Sequence, residues 1–152
     1  MLLERYDIMQ KDDTIELLNE CDSGVKNAIN SIDELTEHAT SEELKKIFVQ
    51  YRHDHEELGK RIQTMLETRR EAGKDPGAMV KAMSWVKINA KMLQSPSDHT
   101  VADLMMDGCN MGIKSLCKYQ NKYLAADESA KIIAKDLVDL EQKLMIELRA
   151  YL

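Results

Sequence analysis

Both prolines of this 152-residue chain, Pro76 and Pro96, fall inside one short stretch. Proline breaks a helix interior, because it lacks the N–H donor and its ring clashes with the preceding turn. The segments on either side are therefore free to run as long helices. Six glycines and two prolines are too few for the many turns of an all-β sandwich or barrel. The first expectation is an all-α chain.

Apolar residues recur at steps of three and four in four long segments, the period of a helix that buries one face. The first segment, residues 12–37, opens on Asp13 with Glu16 three positions on, the pattern of a capping box. Its seam reads Ile15, Leu18, Asp22, Val25, Ile29, Ile32, so one acid interrupts it. Thr40 to Glu43 suggests a second capping box and a helix over 41–72, ended by Gly73. Its inner face is Leu44, Ile47, Tyr51, His55, Leu58, Ile62, Met65, with His55 as the intruder. Residues 98–124 carry Ala102, Met105, Cys109, Gly112, Leu116, Tyr119 and Tyr123, and residues 128–151 carry an Ile/Leu seam through Leu137, Leu140 and Leu144. Small residues at 21, 24, 28 and 31 match Gly108 and Gly112, a pattern that would let two helices approach closely.

The links within each half are short, so the segments pair as helical hairpins, 12–72 and 98–151, within one domain over 1–152. The 25 residues between them contain a helix of their own at 76–93, with Asp75 as cap and Pro76 as first helical residue. At 1.5 Å per residue that helix covers about 25 Å. It can carry the chain along the bundle, so that the second hairpin enters from the far end. The expected architecture is a four-helix up-down bundle with one helical crossover.

Charge and cysteine content exclude several roles. The formal net charge of −6 disfavours nucleic-acid binding, and the low aromatic content of 5% leaves little for base stacking. The basic residues between Lys60 and Lys91 read as solvated helix faces. No apolar run approaches the ~18 residues of a membrane span. Cys21, Cys109 and Cys117 are odd in number and lack CxxC spacing, which suggests buried thiols in a reducing compartment. The expected location is the cytoplasm.

Three features together resemble the ferritin-like superfamily, and more narrowly a bacterial ferritin-like domain family of unknown function. They are TIELLNECDSGVKNA in the first helix, ELKKIFVQYRHDHEELGKRI in the second, and the crossover helix bearing Trp85. The resemblance covers nearly the whole chain from about residue 13. It implies a four-helix bundle, and it does not imply a working metal centre.

A di-metal centre in such a bundle draws one Glu from each of two helices and a Glu-x-x-His from each of the other two. Counting from a turn near residue 39 puts Asp22 opposite His55 in mid-bundle. Glu56 lies beside His55, but Arg52 stands where a Glu-x-x-His would need its acid. In the second hairpin, Glu141 beside the apolar seam is the one contributor, and no histidine follows His99. The stronger reading makes Asp22 and His55 a mutually satisfying polar pair that fixes the hairpin register. The expected function is a non-enzymatic structural, stress-related or interaction module with an incomplete di-metal site. The alternative is an iron- or manganese-binding protein, oxidase or metal carrier, using Asp22, His55, Glu56 and Glu141. Met79, Met83 and Trp85 on the crossover helix suggest an apolar face for a homodimer.

Overall fold

The computed structural model describes the backbone of residues 1–152 and all side chains except those of residues 78–80 and 82–86. Among the described residues it holds five α-helices and no strand: α1 (Leu2–His38), α2 (Glu42–Glu67), α3 (Ala78–Gln94), α4 (Asp98–Lys122) and α5 (Glu128–Leu148), with a 3-10 turn at Arg149–Tyr151. The stripe Met79, Met83 and Trp85 lies outside the described side chains. Among the described residues no helix is long and apolar enough to cross a membrane.

Three helices start on side-chain caps. Ser41, Ser97 and Asp127 accept hydrogen bonds from the backbone N–H of Leu44, Thr100 and Ala130. Each satisfies a donor that the first turn leaves unpaired. The cap of α2 is Ser41 rather than Thr40, because Thr40 is engaged elsewhere. Its N–H and hydroxyl donate to Asp98 at 2.7 and 2.8 Å, and the N–H of Ser41 donates to the same carboxylate at 2.9 Å. Asp98 thus binds the start of α4 to the α1–α2 link.

Helix α1 does not begin near Asp13. It runs 37 residues from Leu2, and Asp13 instead accepts from the N–H of Ala125 at 2.9 Å. Thr14 accepts from the N–H of Asp127 at 2.8 Å, so one turn of α1 anchors the α4–α5 link. The turns before it lie beyond the bundle, with Leu2 84% and Leu3 80% exposed. Helix α2 ends at Glu67, before the expected 72, and the chain turns through Arg70 (φ 59) and Gly73 (φ 92). Helix α3 starts at Ala78, because Asp75 turns away to accept from Lys26 at 3.0 Å.

Helix α1 packs against α2, α4 and α5; α5 packs against α2 and α4; and α3 lies on α1 and α4. Arg52 reaches Asp33 and Arg61 reaches Asp136, so α2 runs antiparallel to both α1 and α5. Asp98 sits at the α1–α2 link, whereas Arg69, just past α2, pairs with Asp127 at the α4–α5 link. The crossover therefore carries the chain from one end of the four helices to the other.

Two apolar clusters fill the interior. One gathers Ile32, Leu35, Phe48, Met105 and Leu144 near the α1–α2 link. The other gathers Leu17, Leu18, Ile62, Leu66 and Ile133 near the α4–α5 link. The buried faces are turned slightly from the expected seams. Leu17, Phe48 and Leu66 are fully buried, while Ile15, Ile47 and Met65 are only half-buried. On α5 the shift has a chemical consequence, because Glu141 takes the inward position expected of Leu140.

Candidate functional site

His55 lies on the buried face of α2 between Tyr51 and Leu58, and Glu141 lies on that of α5 between Leu137 and Leu144. The two meet between the apolar clusters. His55 Nε2 is 2.7 Å from Glu141 Oε1, and His55 Nδ1 is 2.6 Å from the carbonyl of Tyr51. A carbonyl only accepts, so Nδ1 carries a proton. The Nε2–Oε1 contact then holds a second proton shared by the pair. His55 is 0% exposed and Glu141 4%. Burial by itself lowers the imidazole pKa; the bond to Glu141 and its charge, the Tyr51 carbonyl and Asp54 outweigh burial and hold it above the ordinary value.

Cys109 of α4 lies beside the pair, buried and near enough for the Glu141 carboxylate to act on its thiol. Burial first, then the charge of Glu141, push that thiol upward. Cys21 is pushed up to about 12 by burial and by the charges of Glu20 and Asp22. Both thiols are buried and protonated at neutral pH, which is the state of an unreactive cysteine.

Asp22 does not face His55. Its carboxylate accepts from Lys26 at 2.7 Å and from the backbone N–H of Lys74 at 2.9 Å. The cause is the hairpin offset: Gly59 lies against Val25 and Arg52 meets Asp33. The level of Asp22 on α2 thus falls near Ile62, about two turns beyond His55. The result is a clasp that holds the segment after α2 onto α1. Gly73 is required in it, since an added Cβ would come 2.4 Å from Asp22 Oδ2 and the residue sits at φ 92.

Glu56 points away from His55 and pairs with Arg52, which also binds Asp33. The four expected ligands therefore divide among three separate places: Asp22 on Lys26, Glu56 on Arg52, and His55 with Glu141. Among the described residues no three His, Cys, Asp or Glu side chains are placed to hold a metal ion. The residues present do not fit a di-iron or di-manganese centre. Cys109 was missed as a site residue because its apolar seam position looks like packing alone.

The small residues of α1 and α4 do not close on one another as expected. Among the described residues, an added Cβ at Gly24 would meet Leu137, at Gly108 Met105, and at Gly112 Glu141, all at 3.8 Å or more. Between them lies a cleft of about 320 Å³, lined by Ser23, Asn27, Ser31 and Gly108 and reaching Glu141.

Comparison with known protein families, curated proteins and solved structures finds no match for this chain. Fold and site together define an all-helical protein with a buried histidine–carboxylate pair at its centre.

Proposed function

We propose that this chain is a ferritin-like helical bundle that has no di-metal chemistry. It serves in the cytoplasm as a structural, stress-related or interaction module. Support for the ferritin-like part is the chain order: two antiparallel hairpins, joined by a crossover that runs the length of the bundle. One observation carries the functional part. The centre of the bundle is occupied by His55 and Glu141 bonded to each other, with the second ring nitrogen bonded to Tyr51, so neither imidazole nitrogen has a free lone pair for a metal. The unreactive thiols of Cys21 and Cys109 agree with a reducing compartment.

Metal analysis tests this directly. Protein made without a histidine tag, in medium supplied with iron and manganese, is expected to hold far less than one ion per chain. Near-stoichiometric iron or manganese that is lost in Glu141→Gln would overturn the reading. The interaction role is assigned to a homodimer through Met79, Met83 and Trp85. Sedimentation is expected to show a dimer that dissociates in Trp85→Ala; a strictly monomeric wild type would rule it out.

A further inference from the structure

We propose that the cleft between α1 and α4 binds a small aliphatic ammonium ion, with the Glu141 carboxylate as its anionic floor. The cleft measures about 320 Å³, the lower end of the range for small-molecule sites. Two described residues in its lining carry charge, Glu20 and Glu141, and both are acids. Glu20 stands at one end, already bonded to Lys74 at 2.6 Å. Glu141, paired with His55 on its far side, is the other acid that borders the space. His55 binds Oε1 of that carboxylate from the α2 side and does not line the cleft. The buried pair is therefore a dipole with its negative end toward the cleft.

The glycines supply an independent reason to read the space as a site. Gly24, Gly108 and Gly112 lie in helix interiors, where glycine is a poorer choice than alanine. Close helix contact would justify them, but an added Cβ at any of the three meets nothing closer than 3.8 Å. Among the described residues, helix stability is given up here at positions where a methyl group would fit at ordinary contact distance, beside a cleft that reaches a carboxylate. Gly112 is the sharpest case, because it faces the carboxylate directly: a Cβ there would sit 3.9 Å from Glu141 Oε2.

The walls select among cations. Met105, Leu116 and Leu137 offer apolar surface for a hydrocarbon chain, and Ser23, Asn27 and Ser31 offer polar atoms to ammonium protons. A bare metal ion would find no group of three His, Cys, Asp or Glu side chains among the described residues. An anion would find no basic side chain among the described lining residues. A primary amine with a short alkyl chain satisfies both the floor and the walls.

The test is calorimetric titration of the full chain with n-butylamine, putrescine and spermidine, with butyrate as the anionic counterpart. At least one amine is expected to bind one to one. Glu141→Gln keeps a hydrogen-bonding group for His55 and removes the charge; Gly112→Leu fills the cleft. Each should weaken binding by about tenfold or more. Gly24→Ala adds one methyl at ordinary contact distance, so it folds, and it should weaken binding severalfold. Asp103→Asn, on the outer face of α4, should change nothing. The proposal is overturned if no amine binds the wild type in the millimolar range. It is overturned equally if butyrate binds as well, if all three cleft variants bind like the wild type, or if Asp103→Asn weakens binding as much as they do.

Discussion

His55 and Glu141 are each expensive alone and inexpensive together. Removing one partner of a buried ion pair strands the other, which costs about 3–5 kcal/mol, whereas replacing both by apolar groups is often neutral or stabilising. His55→Ala is therefore expected to lower urea-unfolding stability by about that amount, and the double variant His55→Leu/Glu141→Leu to recover most of it. The pH dependence has a defined sign. The folded imidazole pKa is raised, by Glu141 against the opposing effect of burial. Its contribution is complete below the ordinary histidine value of about 6.5 and is lost as pH rises through the raised value. The stability gap between wild type and the double variant should thus shift against the wild type between pH 6 and pH 9. Asp98 behaves in the opposite sense. Burial raises its pKa, but the donors of Thr40 and Ser41 more than offset that and hold it low. Its contribution is present above the ordinary value of about 3.9 and fades in acid. Unfolding curves of Asp98→Ala and wild type should converge as pH falls below about 4.

At the scale of elements, glycines of the same type have opposite meanings. Gly73→Ala forces a side chain onto Asp22 Oδ2 at a positive φ, and a loss of about 1–3 kcal/mol is expected from strain and from the loosened clasp. Gly112→Ala meets Glu141 only at ordinary contact distance, and the gain in helix propensity should stabilise the unliganded protein by up to about 1 kcal/mol. Thermal unfolding of the two variants should move in opposite directions. Helix α1 is divided in a similar way. Its turns before Asp13 lie outside the bundle, and isolated helical turns are marginal in water. Amides of residues 2–9 should exchange orders of magnitude faster than those around Leu17 to Leu35, which hydrogen exchange read by NMR would show.

For the molecule as a whole, what could be read in advance follows the range of the interaction. Helix count, the starts of α4 and α5, and the turn that Gly73 makes depend on neighbours a few residues away, and they are visible in the chain. The partner of His55 depends on how α2 slides against α5, residues 86 apart in sequence. The offset of the first hairpin depends on lateral travel in a three-residue link. A seam that could have run through Leu140 or Glu141 was assigned to the apolar residue, because the gain from burying Glu141 arises only once His55 and Cys109 are in place. Asp22 misled for the same reason: an acid on an inner seam is legible, but whether it meets a histidine or a returning loop is not.

The crossover is the one covalent tie between the hairpins, and each end of the bundle is fastened without it. Asp98 binds Thr40 and Ser41 at one end, and Asp127 binds Thr14 and Arg69 at the other. A chain cut at the exposed Ser95–Pro96 bond should therefore remain whole as two fragments. Its refolding would become a bimolecular reaction, with a rate that rises with fragment concentration. Such a pair could report proximity between two proteins to which the halves are fused.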